Sequence, residues 1–156
     1  MYNNPTMLHI FLLAIVGTVI AIAIGSFWYS PATPMGRLHM KAMGFDKLSP
    51  EEQKKKMEEA KPHMMNMYLT QMLFSFITAF AVVFIVTESM RNGLPLSAAL
   101  GFVAVNWFCF VVPTIGSGTL WSTTCESQVA WKKFASEIAS NLVTMLLTGL
   151  VAGVLA

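Results

Sequence analysis

Glu137 is the one acidic or basic residue set well inside an apolar run, and polar residues recur around it at helical spacing. Lys133, Glu137, Ser140, Asn141, Thr144 and Thr148 step by three and four, so a helix places them on one face. Another run carries Gln71, Ser75 and Thr78 on one face, and a third offers Asn106. An ionisable group in hydrocarbon is costly, and by default it marks a substrate, proton or ion path. At about 1.5 Å per residue, Glu137 and Gln71 fall near one depth. Ser75, Asn106 and Asn141 fall at a second depth, closer to the bilayer midplane. The expected pathway residues are therefore Glu137, Asn141, Asn106, Gln71, Ser75 and Thr144. The plainer alternative is that Glu137 snorkels with Lys133 one turn earlier. The amides and hydroxyls would then bond between helices, each for about 0.6 to 2 kcal/mol.

Soft ligands form a second constellation. The chain has 12 Met and 3 His, with His39-Met40 and His63-Met64 both at one membrane boundary. Thioether and imidazole suit Cu(I). Met is also an adaptable packing residue, and no Cys-x-x-Cys or Met-x-x-x-Met core accompanies these pairs. No metal and no cofactor is expected, with His39, Met40, His63 and Met64 as the weak candidates. Zinc-protease and nucleophile-elbow motifs are missing, and the one intramembrane carboxylate has no second acid or nearby His in sequence. No catalysis is expected. Cys109 and Cys125 read as free thiols rather than a disulfide framework.

The elements that position these residues follow from composition. Only 12% of the 156 residues are charged and mean hydropathy is +0.60. A soluble domain carries about 25% charged residues. The apolar residues cluster into four runs long enough to cross about 30 Å of hydrocarbon as helices. The expected fold is all-α: one transmembrane domain over 1–156, a bundle of helices near 8–29, 63–88, 95–113 and 128–156. The formal charge of +2 is too small to suggest a nucleic-acid partner, and none is expected. The expected partners are the lipid bilayer and further copies of the chain or other membrane proteins.

Small residues supply packing faces. Gly17, Ala21 and Gly25 repeat every four residues, and Gly149 and Gly153 repeat the pattern late in the chain. Such stripes let helix backbones approach closely. Trp28 and Tyr29 fall where an aromatic belt belongs.

The charged segment, about 30–62, sits between the first two runs. Ser30-Pro31 reads as a helix start, leading to a short interfacial helix over residues 36–45. Ser49-Pro50-Glu51-Glu52 reads as a capping box opening a short solvated helix that ends toward Pro62. Glu51 with Lys55 and Glu52 with Lys56 are spaced for ion pairs. Residues 113–124, with Gly116 and Gly118, read as a surface loop, and Thr123-x-x-Glu126 as a start for the last helix. Seven of the ten Lys and Arg lie in the first connection and two in the third, against Arg91 alone in the second. The positive-inside rule then places the large loop in the cytoplasm and both termini outside.

Trp28-Tyr29-Ser30-Pro31, Gly36 and His39-Met40-Lys41-Ala42-Met43-Gly44 together resemble an uncharacterised prokaryotic membrane-protein family, domain of unknown function 1761. Its pattern is similar to Trp-Tyr-Ser-Pro followed by Gly-x-x-Trp-Met-x-x-x-Gly. His39 stands where the family has Trp, and one extra residue separates Pro31 from Gly36. The resemblance covers nearly the whole chain and implies four helices with a charged first loop, but no activity.

Three functions remain at this stage. A non-catalytic structural or accessory protein working through helix packing and oligomerisation comes first. A small-solute or ion transporter or channel using the polar seam comes second, and copper handling through Met and His third.

Overall fold

The computed structural model describes residues 6–121 and 127–155. Every regular element among them is helical. Four helical stretches have the length and composition to cross a membrane: Met7–Trp28, Pro50–Arg91, Leu96–Thr119 and Gln128–Leu155.

Helix α1 (Met7–Trp28) starts at Thr6, whose side chain accepts from the His9 N–H. Helix α2 (Pro34–Ala42) starts at Thr33-Pro34 rather than Ser30-Pro31. Both pairs offer a hydroxyl cap and a proline at the first turn. The later one is used because Thr33 Oγ1 accepts from the Gly36 N–H at 2.9 Å and also donates to the Trp28 and Ser30 carbonyls. Gly36 lies against the Ser30 and Tyr29 carbonyls, and a Cβ there would collide with backbone. The start of α2 is thus locked onto the end of α1.

Helix α3 (Pro50–Arg91) is 42 residues long and runs straight through Pro62, where a break was expected. Proline removes one helical hydrogen bond and leaves a carbonyl four residues back unpaired. Here that carbonyl belongs to Glu58, in an exposed stretch where water can take the bond. The capping box forms as the sequence predicts: Ser49 N–H donates to Glu52 at 2.8 Å and Glu52 N–H to Ser49 Oγ at 3.3 Å. The Ser49 hydrogen bonds hold the Glu52 carboxyl below its usual range. The Glu51–Lys55 and Glu52–Lys56 pairs do not form. Among the described residues the ion pairs are Arg91–Glu88 and Lys133–Glu137. Glu52 is already committed to its cap.

The third span departs most from expectation. Helix α4 (Leu96–Asn106) passes through a π-helical turn, Trp107–Val111, into helix α5 (Val112–Trp121). The expected surface loop after Pro113 is therefore helix through Trp121. The π turn is the reason Pro113 is tolerated. Val112 N–H bonds the Trp107 carbonyl five residues back, so the register widens just before the residue that has no N–H. Backbone groups at membrane depth must be bonded internally, which favours continuing the helix over the cost of its glycines. The expected start at Thr123-x-x-Glu126 and the thiol of Cys125 lie outside the described residues. Cys109 is free and exposed.

Helix α6 (Ser127–Leu155) packs against each of the other five helices. One core cluster joins Ile10 and Leu13 of α1, Val82, Val83 and Val86 of α3, Ala99 and Val103 of α4, and Met145 and Ala152 of α6. Most of these residues lie in the half of the bundle away from α2, and Val82 and Met145 also border the open space beyond it. Gly149 and Gly153 belong to that half, where added Cβ atoms would press on Val82, Val86, Leu100 and Leu96.

Candidate functional site, a polar cavity between three helices

Toward the α2 end the helices separate. Along α1, a Cβ at Gly17 would sit 2.6 Å from Thr148 Cγ2 and 2.9 Å from Ala79 Cβ, whereas one at Gly25 would meet nothing within 4 Å. The stripe Gly17, Ala21, Gly25 therefore begins as a tight contact and ends as the wall of a space. All three residues line a cavity of about 1220 Å³ between α1, α3 and α6.

Five of the six expected pathway residues line it: Gln71 and Ser75 from α3, and Glu137, Asn141 and Thr144 from α6. Asn106 does not. Its amide donates to the Phe102 carbonyl of its own helix at 2.8 Å. The register of α4 points it elsewhere, and residue spacing within one helix cannot reveal which neighbour that face meets.

Three polar side chains of the wall, Asn141, Thr144 and Gln71, bond within their own helices. Asn141 Nδ2 donates to the Glu137 carbonyl at 2.9 Å and Thr144 Oγ1 to the Ser140 carbonyl at 2.8 Å. Gln71 Nε2 lies 3.5 Å from Ser75 Oγ, also on one helix. Among the described residues, two indoles donate hydrogen bonds between spans. Trp28 Nε1–H donates to Ser136 Oγ at 2.9 Å and Trp107 Nε1–H to the Ile138 carbonyl at 3.0 Å. These two bonds pin α6 just beside Glu137, and the amides and hydroxyls are left facing the space.

The α2 end of the cavity is closed by a narrow crevice of Tyr29, Met35, Leu38, His39, Lys133, Ser136 and Glu137, too tight for a water molecule. Helix α2 presents Leu38 and His39 inward, while Arg37 and Lys41 are exposed. Tyr29 and His39 meet edge to face with ring centres 5.1 Å apart. Lys133 Nζ lies 3.5 Å from Glu137 Oε1, a loose pair with both side chains partly exposed. Burial pushes the Tyr29 phenol above its ordinary value, the Glu137 carboxylate adds to the rise, and the Ser140 hydroxyl opposes it. Burial pulls His39 below its ordinary value, the Lys133 ammonium acts the same way, and Glu137 opposes both. His39 Nδ1 is buried without a hydrogen-bond partner.

Tyr29 and His39 were not foreseen as cavity residues. The spacing Ala21-Ile22, Gly25-Ser26, Tyr29 was a usable signal, because it continues the small-residue face by one turn. Of the soft-ligand candidates, the cavity takes His39 alone, without Met40, His63 or Met64. His63 is exposed on α3. Among the described residues no three His, Cys, Asp or Glu side chains gather as a metal site would require.

A helical membrane protein with a closed half and a hollow half is the class these features define. The chain belongs to the family described as protein of unknown function (DUF1761), whose model matches residues 12–153. No curated protein and no solved structure matches it.

Proposed function

We propose that this protein binds a small solute in the α1/α3/α6 cavity and carries it across the membrane. The observation that supports this over a purely accessory role is the state of the polar wall. Groups that served as glue between helices would bond between helices. Here Gln71, Asn141 and Thr144 bond within their own helices and face an open space of about 1220 Å³. That volume suits a small organic molecule, for which cavities run to about 1000 Å³. The Lys133–Glu137 pair was the feature expected to count against transport. That pair forms at 3.5 Å and counts for the accessory reading, while Glu137 also lines the cavity.

The test is aqueous access. In a background with Cys109 and Cys125 changed to Ser, Ser75→Cys and Asn141→Cys should react with a charged, water-soluble thiol reagent in intact proteoliposomes. Asn106→Cys should react far more slowly. Protection of both cavity positions would leave the wall as dry packing and overturn the proposal.

The accessory reading keeps one observation in its favour. Around residues 65–74, α3 is exposed, and Asn66 and Thr70 there lie outside the cavity lining. Polar groups bare to lipid are costly, and a second copy of the chain would cover them. Oligomerisation is thus part of the proposal under either role, and native mass spectrometry in mild detergent reads it directly. The orientation belongs to the proposal as well. Reporter fusions at either terminus should be active outside the cytoplasm, and cytoplasmic activity at either end would reverse it.

A further inference from the structure

The cavity wall carries an uneven set of charges. Among the described residues that line it, the carboxylate of Glu137 is the one formally charged group, and no Lys or Arg joins it. His39 also lines the space, and burial beside Lys133 pulls it below its ordinary value, which favours its uncharged form. The cavity wall therefore presents one acidic side chain, whose ammonium partner, Lys133, lies behind it on the crevice side at 3.5 Å. Two tyrosines, Tyr29 and Tyr68, line the same space. Aromatic faces attract cations through the ring quadrupole. The opposite wall is mostly small and apolar, formed by Gly17, Ala21, Ile22, Gly25 and Ser26 of α1.

From this placement we infer that the cavity's ligand is an amphiphilic organic cation, an amine or quaternary onium head on an apolar body, with Glu137 as its counter-ion. The inference rests on the reading of the cavity as a ligand site and names the class of its occupant. The cation head takes the place of Lys133 at Glu137. Lys133 sits one helical turn away at 3.5 Å on the crevice side and does not itself line the cavity. Its loose contact makes it a competitor that a better-placed cation displaces. Asn141, Thr144 and Ser75 supply neutral hydrogen-bonding groups that do not select a sign of charge. The apolar body lies along α1, where the absence of a side chain at Gly25 leaves room.

The experiment is equilibrium dialysis of the full chain in mild detergent, with empty micelles as the blank. The probes are tetraphenylphosphonium and, separately, tetraphenylborate, which share shape and differ in sign. The wild-type chain should bind the phosphonium at least about tenfold more tightly than the borate, the span of one ordinary charge contact. Glu137→Gln should erase most of that preference, and Lys133→Gln should strengthen phosphonium binding. Gly25→Trp should remove binding by filling the space, with Gly25→Leu as the milder substitute should the first variant aggregate. Equal binding of both ions, abolished by Gly25→Trp, overturns the cation class and leaves the cavity reading standing. A phosphonium preference unchanged in Glu137→Gln also overturns the class. Binding that persists unchanged in both Gly25 variants, or no binding of either ion, overturns the class and the cavity reading together.

Discussion

The two halves of the bundle use the same kinds of residue to opposite ends. In the half away from α2, small residues let helices touch: Gly17 meets Ala79 and Thr148, and Gly149 meets Leu100 and Val86. Val83, Val86, Ala99 and Val103 are completely buried there. In the α2 half, the continuation of the same α1 stripe, at Gly25, touches nothing. Two indole hydrogen bonds hold α6 in that half, and the space beside them stays open. A small residue on a membrane helix therefore permits an approach without requiring one. Whether the approach happens depends on where the partner helix goes.

The largest test of this contrast is a pair of substitutions on one stripe. Gly17→Leu should destabilise the protein by about 3 kcal/mol, the upper range for overpacking a core. Gly25→Leu should leave stability nearly unchanged. Thermal unfolding in detergent, followed by circular dichroism, compares them directly, and equal losses would erase the distinction between the halves.

Removing packing atoms should give the next largest effect. Val83→Ala in the closed half should cost about 1 to 2 kcal/mol, chiefly through the void it leaves. Asn141→Ala in the hollow half should cost under about 0.5 kcal/mol, since its amide bonds only its own helix. A larger loss for Asn141→Ala would mean the polar wall is structural after all.

The indole pins should be worth less. Trp28→Phe keeps the ring and removes the donor to Ser136, so it should cost about 1 kcal/mol. Ser136→Ala should cost a similar amount, and the double variant no more than either alone. Additive losses in that cycle would show that the two side chains do not act as a pair.

The smallest effect is with pH. His39 is held below its ordinary value of 6.5, so the unfolded chain binds its proton first as pH falls. The associated stability is present above 6.5 and is lost as pH drops from there through the lower folded value. His39→Gln should flatten that part of the pH–stability profile. An identical slope in the variant would place the titrating group elsewhere.

Much of the molecule was legible in the chain. The spans were readable because the length and apolarity of a run are local quantities. The Ser49 capping box and the Lys133–Glu137 pair were readable because their partners lie three and four residues apart. The polar faces of α3 and α6 were readable as faces, and Gln71, Ser75, Glu137, Asn141 and Thr144 do share one cavity. Asn106 shows the limit. Its depth in the bilayer was inferable, but the rotation of α4 about its axis was not. The helix after Pro113 was missed because proline and two glycines weigh toward a loop in water. At membrane depth the need to bond every backbone group outweighs that preference, and a π turn supplies the adjustment.

The sequence by itself determined what depends on neighbours within a turn or two: four spans, the Ser49 capping box, the polar faces and the family. Tertiary structure alone decided which faces meet. Trp28 and Ser136 are 108 positions apart, and no spacing rule connects them. Gly36 is required by a carbonyl of the preceding turn that only the fold of the α1–α2 connection brings beneath it. The cavity exists because the Gln71 and Ser75 face of α3 does not close on α1 and α6 beyond Gly17. That opening is a balance of packing among three helices, a property that no single stretch of the chain contains.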